Sequence, residues 1–217
     1  IVKAKHILSD IILNKDYFSL HHLLDILPPD TIHLLDQSGC SPLIHAINTF
    51  ELQSVAAILS SAPCTFTVDA DGNNALHLLT KKTPGNDDEI MRQKKIAKLL
   101  ILAGIDTNAT NKHGDNAAMI AIKHNNAAIT EMLFPYMDLF QINNNHEHLA
   151  YLAIEHNQVH LFSSIITSMI QTDNPPFDIL CTALAVPKGV SKLMNKNKLQ
   201  YGSTDTMCLL SLAIILS

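Results

Sequence analysis

The amino-acid sequence predicts an all-α repeat solenoid, on three observations. Residues at fixed offsets from Gly39, Gly72 and Gly114 form columns, reading Leu43, Leu76 and Ala118 four positions on and Ala46, Leu79 and Ala121 seven positions on. Sliding the same frame to His146 gives Ala150 and Ala153, and sliding it to Ala4 gives Leu8 and Ile11. Small and aliphatic side chains in both columns are what closely stacked helices require. A second column of apolar pairs follows each first helix: Leu23-Leu24, Ile58-Leu59, Leu100-Ile101, Leu133-Phe134 and Ile165-Ile166. The turn before them carries Leu20, Val55, Ile96, Ile129 and Leu161, so each second helix has the three-to-four spacing of a buried stripe.

The elements follow in order from these anchors. Gly39 to Gly72 is 33 residues, Gly72 to Gly114 is 42, and Gly114 to His146 is 32. The nine-residue excess of the middle spacing falls between Lys82 and Gln93 and is expected as a charged extra loop, Pro84 to Gln93, carrying Asp87, Asp88, Glu89 and Arg92. Connections absorb such changes more readily than stacked helices do. Ser41-Pro42 predicts an N-cap followed by proline at the first helical position, where its missing N–H costs nothing. Asn125 and Asn157 fall at the turn between first and second helices, and asparagine tolerates a positive φ there. After Ile170 the pattern lapses through a Pro-Pro pair and a basic stretch, and Cys208 to Ile215 fits a first helix again, with Leu210 and Ala213 in the two columns.

Composition narrows the function classes. A chain of 217 residues, 47% apolar and 16% charged, is long enough to bury a core. A net charge of -5 with one arginine disfavours nucleic acid as a partner, since a nucleic-acid binder needs a basic face. Cys40, Cys64, Cys181 and Cys208 form no CxxC pair, which points to a reducing, cytosolic setting and to neither a disulfide framework nor a zinc ribbon. The N-terminal run is interrupted by Asp10 and does not read as a signal peptide. The apolar run at Cys208 to Ile215 is far shorter than the ~20 residues that span a bilayer, so no membrane insertion is expected. Twelve histidines invite a metal reading, densest at His146, His148, His156 and His160, but the frame puts His156 and His160 around a turn and not on one helix face. No nucleophile elbow, HExxH, P-loop or dinucleotide fingerprint is present. No metal, cofactor or catalytic residue is assigned.

The stretch Leu99 to Ala121, LLILAGIDTNATNKHGDNAAMIA, joins one unit to the next: an apolar helix end, a glycine stop, a polar two-armed loop ending at Gly114, and a small-residue helix. It resembles the ankyrin repeat, whose consensus runs Asp-x-x-Gly-x-Thr-Pro-Leu-His-x-Ala-Ala through a Val/Leu-rich helix to Gly-Ala-Asp-Val-Asn. The match is close over Leu99 to Ala109 and at Asp36 to Ala46 and Asp69 to Leu79, and looser at both ends. The resemblance implies helix-turn-helix units separated by hairpin-like finger loops, about five of them over residues 1–171 (approximately 1–35, 36–68, 69–110, 111–142 and 143–172). An insertion at 173–205 and a partial terminal repeat at 206–217 follow. His77, in the consensus histidine column, is assigned a structural role in tying the turn.

The resemblance also implies what the molecule does. Ankyrin proteins bind other proteins through finger tips and the inward face of the first helices, so a non-catalytic protein-binding module is expected. Carrying the variable positions over gives Asp71, Asn73, Lys81 and Lys82 in one repeat. The next repeat gives Lys112, His113, Asp115, Lys123 and His124, and the one after it Asn145, Glu147, Glu155 and His156. An earlier repeat adds Gln37, Ser38, Cys40, Asn48 and Thr49. Lys81, Lys82, Lys112 and Lys123 make the middle basic, which favours an acidic or phosphorylated protein segment. Phe66 and Phe140 are candidate apolar anchors, and Lys188, Lys192 and Lys196 sit at the spacing of a basic helical ridge. Asn108 resembles the asparagine hydroxylated in other ankyrin proteins. A monomer is expected. The rival reading is a targeting part of a larger multidomain enzyme, with catalysis beyond Ser217 or in 173–205. A Trp-free, Ile- and Asn-rich composition with one arginine is compatible with an AT-rich genome, and ankyrin modules joined to enzymatic domains are familiar among effectors of intracellular bacteria, which would place it in a host cytosol.

Overall fold

The computed structural model describes residues 2–28, 32, 40–61 and 68–170, and the chain divides after Lys112 into two compact units. The predicted insertion at 173–205, the basic ridge, the partial repeat at 206–217, and Gln37, Ser38 and Phe66 lie outside the described residues. Among the described residues the structure is helical, with no strand beyond a single antiparallel bridge between Ile142 and His148. None of the described helices is long and apolar enough to cross a membrane.

The first unit contains α1 (Val2–Leu13), α2 (Tyr17–Ile26), α3 (Pro42–Asn48), α4 (Leu52–Ser61), α5 (Ala75–Lys81) and α6 (Asp87–Leu102). The helices come in pairs, α1 with α2, α3 with α4 and α5 with α6. The first members pack on one another, α1 on α3 and α3 on α5, and so do the second members, α2 on α4 and α4 on α6. The second unit has the same arrangement in two pairs. In it α7 (Ala117–Lys123) precedes α8 (Ala127–Leu133) with a 3-10 turn at Phe134–Tyr136, and α9 (Leu149–Glu155) precedes α10 (Val159–Ile170); α7 packs on α9 and α8 on α10.

The columns foreseen in the sequence are the cores of these layers. Leu8, Leu76, Ala118 and Ala150 are buried at the first position, and Ala46, Leu79, Ala121 and Ala153 at the second, with Leu43 and Ile11 half-buried. Leu20, Val55, Ile96, Ile129 and Leu161 are all buried on the second helices. Each such aliphatic residue contributes about 1.5 to 3 kcal/mol by leaving water, and the alanines let backbones approach.

Turn chemistry repeats at one offset. Eleven residues past the anchors Ala4, Gly39, Gly114 and His146 stand Lys15, Phe50, Asn125 and Asn157, all with φ between 52° and 60°. The following N–H groups reach back into the helix, Glu51 to the Ala46 carbonyl at 2.9 Å, Asn126 to Ala121 at 2.8 Å and Gln158 to Ala153 at 2.8 Å, the bond pattern of a left-handed helix stop. Two residues past the anchors lie the N-caps: Ser41 accepts from the Ile44 N–H, Asn74 from Leu76 and His77, Asn116 from Met119, and His148 from Tyr151. Pro42 occupies the first turn as predicted. His77 is buried and closes a capping box, its Nδ1 3.2 Å from the Asn74 N–H.

The α5–α6 pair corrects one expectation. Residues 84–93 are not an extra loop: Asn86 caps α6 through the Glu89 N–H at 2.9 Å, and helix runs from Asp87 onward. Asp87, Asp88 and Glu89 fill the first turn, where carboxylates complement the helix dipole. Most of the nine-residue excess therefore lengthens the second helix to 16 residues, against 10 in α4. Gln93, fully buried, stands in for the missing left-handed stop. Its Nε2 donates to the carbonyls of Leu79 at 2.8 Å and Lys82 at 2.7 Å, which close the end of α5.

Candidate functional site

The candidate residues lie on two finger turns and on the ends of the first helices behind them. In the first unit the turn begins at Asp69, whose Oδ1 accepts the N–H groups of Asp71 at 2.9 Å and Asn73 at 2.8 Å. The hairpin is closed by the Asp69 N–H on the Asn73 carbonyl and by the Gly72 N–H on the Asp69 carbonyl, both at 3.0 Å. Burial alone would raise the Asp69 carboxyl, but the Asn73 and Asp71 donors and the nearby Lys81 charge outweigh it and hold it below the usual carboxylate value.

The second unit builds the same turn from a neutral residue. Asn143 Oδ1 accepts the N–H groups of Asn145 at 3.0 Å and Glu147 at 2.9 Å. The Asn143 N–H reaches the Glu147 carbonyl at 2.9 Å, and the His146 N–H reaches the Asn143 carbonyl at 3.0 Å. His146 takes the glycine's place with φ of 61°. One side-chain oxygen thus satisfies two backbone donors in each finger.

Within each unit, adjacent fingers are tied by matching bonds. The Lys112 N–H donates to the Asp71 carbonyl at 2.9 Å, and Asn111 Nδ2 to Asn73 Oδ1 at 2.9 Å. In the second unit the Asn144 N–H donates to the His113 carbonyl at 3.1 Å, and Asn143 Nδ2 to Asp115 Oδ1 at 2.8 Å. The N-cap asparagines reach across as well, Asn74 Nδ2 to the Asp106 carbonyl at 3.2 Å and Asn116 Nδ2 to Gln141 Oε1 at 2.8 Å. The approach of the fingers is close enough to demand glycine. A Cβ on Gly114, at φ of 76°, would stand 2.6 Å from the Asn144 nitrogen, and one on Gly72 3.3 Å from that of Lys112.

These ties divide the predicted surface residues. Asp71, Lys81, Lys112, His113, His124, Asn145 and Glu155 are exposed, and Lys82, Glu147 and His156 are half-buried. Asn73 and Asp115 are buried, at 5% exposure each, and are corrections to the sequence expectation: both side chains face the neighbouring finger. Lys123 is a third correction. Its Nζ lies 2.7 Å from both Asp115 carboxylate oxygens and 4.0 Å from Glu147, so its charge is neutralised within the unit. Lys81 occupies the same position on α5, but Asn73 stands where Asp115 would be and carries no charge. Lys82 places its ammonium 4.5 Å above the Phe50 ring, a cation–π contact. Only part of the basic middle thus faces outward.

Asn108 is exposed, its N–H on Asp106 Oδ1 at 2.9 Å. Phe140 is half-buried and lines an open cleft of about 450 Å³ with Phe134, Met137, Leu139 and Ser168. Among the described residues, no three His, Cys, Asp or Glu side chains converge as metal donors. His148 is spent as a helix cap, and burial pushes its imidazole below the ordinary value. Gln93, Asn143 and Gln158 were missed from sequence. Gln158 Nε2 ties the α9–α10 turn to the Ile122 carbonyl at 2.7 Å and to Asn125 Oδ1 at 2.9 Å. The partners of Gln93 and Gln158, and the Asp115 partner of Asn143, lie 11 to 36 residues away in the chain, and only the packing distance brings them together.

No protein-family model matches the chain, and no curated protein matches it.

Proposed function

We propose that the chain is an ankyrin-type repeat module that binds a partner protein through its finger tips and the exposed ends of its first helices, without catalysis of its own. One observation carries this reading. Finger-to-finger bonds recur at the same offsets in both units and use backbone groups and inward side chains, while Asp71, His113 and Asn145 stay exposed at the tips. A scaffold that fixes its loops from behind presents side chains at little ordering cost, which is where binding energy is gained. The proposed contact set is the exposed candidates Asp71, Lys81, Lys112, His113, His124, Asn145 and Glu155, with Asn73, Asp115 and Lys123 assigned to support.

Site-specific photo-crosslinking tests it. A benzophenone side chain is placed singly at residues 71, 113 and 145, and at the exposed helix positions 131 and 102 as references, in cells expressing the protein. Discrete protein adducts at the three tips and none at the references are expected. Equal labelling at all five positions, or none at the tips, would refute the reading.

A further inference from the structure

The lengthened helix α6 brings charge to a place the finger tips do not reach. Its added turns carry Arg92, the sole arginine of the chain, and Lys95, three residues on and therefore on the same helix face. Both are exposed, and among the described residues neither has an ion-pair partner. They form one side of an open cleft of about 350 Å³ whose other lining includes Lys15, Tyr17, Glu51 and Gln53.

The opposite side of the cleft is already saturated. Glu51, 6% exposed, immediately precedes α4 and receives the Tyr17 hydroxyl at 2.5 Å on one carboxylate oxygen and Lys15 Nζ at 2.6 Å on the other. The Tyr17 hydroxyl is pushed up to about 12, first by that hydrogen bond and then by burial, so it stays a neutral donor. Lys15 is the ion-pair partner of Glu51, which Arg92 attracts more weakly, so among the described lining residues three cations stand against one carboxylate and the cleft is net positive. A guanidinium fork beside a point charge one turn along the helix is the donor set that holds a carboxylate or a phosphate ester. The cleft volume equals roughly a dozen waters' share of liquid, room for the end of a side chain and not for a folded element.

We infer that this cleft is a second docking point, receiving an oxyanion side chain, a carboxylate or a phosphate ester, from an acidic peptide segment of a partner protein between Arg92 and Lys95. The two sources share their chemistry and differ in what the peptide must carry. The surface is separate from the finger tips, so it stands or falls independently of the tip reading.

Fluorescence anisotropy with the whole chain decides it, using three labelled peptides: one rich in glutamate, one serine peptide bearing a single phosphate, and that serine peptide without it. Binding of at least one anionic peptide, but not of the unmodified serine peptide, is expected. The R92A/K95A pair should weaken it about tenfold or more, with R92E/K95E abolishing it. The peptide that binds more tightly identifies the source. Lys98→Ala, on the same helix outside the cleft, should leave affinity unchanged, and far-UV circular dichroism checks that each variant keeps its helices. The inference is overturned if neither anionic peptide binds the unmodified chain, or if the R92E/K95E protein binds as well as it does. Equal weakening by Lys98→Ala would mean diffuse surface charge and would also overturn it, as would a single-stranded oligonucleotide that displaces the peptide and binds more tightly.

Discussion

Replacing Lys123 with methionine separates support from recognition in the second finger. The stem of the side chain is kept and only the ammonium is lost, along with two contacts of 2.7 Å to Asp115. The Asp115 side chain is 7% exposed, and after the substitution its charge loses the ammonium while Asn143 Nδ2 still donates to it at 2.8 Å. Stranding a fully buried charge costs about 3 to 5 kcal/mol; with Lys123 itself 29% exposed, water can reach the site and the expected cost is about 2 to 3 kcal/mol. Urea unfolding followed by circular dichroism should show this loss, still largely present in 1 M NaCl because a pair this shielded is weakly screened. Asp115→Asn alone should cost about 1 kcal/mol, since the freed ammonium can turn to solvent. The double variant should be more stable than the sum of the two losses by about 1.5 kcal/mol or more. A Lys123→Met loss below about 0.5 kcal/mol, or strict additivity, would refute a supporting role and return Lys123 to the binding surface.

Two further outcomes follow from the local geometry. His148 caps α9 through an unprotonated Nδ1 3.2 Å from the Tyr151 N–H, and burial lowers its folded pKa. A histidine lowered on folding gives stability that is full above its unfolded value near 6.5 and is lost as pH falls through the folded value. Unfolding midpoints between pH 7.5 and 5.5 should therefore drop in the unmodified chain and drop less in His148→Asn, which keeps a cap acceptor that does not titrate; equal slopes would count against the buried neutral cap. Gly114→Ala and Gly104→Ala share a positive φ, but only the first meets backbone, 2.6 Å away, while the second meets nothing within 4 Å. Gly104→Ala should cost about 1 kcal/mol and Gly114→Ala at least about 3, and thermal midpoints in the reverse order would remove the close finger approach.

Much of the helical order was legible because its signals are short-ranged. An N-cap acts over three residues and a left-handed stop over one turn, so Ser41-Pro42, Asn125 and Asn157 could be placed from their neighbours alone. The buried column of Leu20, Val55, Ile96, Ile129 and Leu161 was legible because it repeats. The site was less so. Asn73, Asp115 and Lys123 look like surface residues by type; the spacing between adjacent fingers turns the first two inward, and the turn leading into α7 brings Asp115 back onto Lys123 eight residues later. The helical character of residues 87–93 was hidden by the Pro-Gly-Asn punctuation before it, which marks a loop but says little about where the loop ends. Glu51 and Tyr17, 34 residues apart, offered no local signal at all.

The Asp69 and Asn143 turns have a consequence for altering this protein. Each anchors its finger from the first residue, so the side chains of Asp71 and Asn145 can be exchanged without disturbing the loop that carries them. A library randomised at these tips should yield soluble, folded members at high frequency, whereas one randomised a step inward, at Asn73 and Asp115, should not. The architecture thus keeps its vocabulary apart from its grammar, and new specificity can be selected without first repairing the fold.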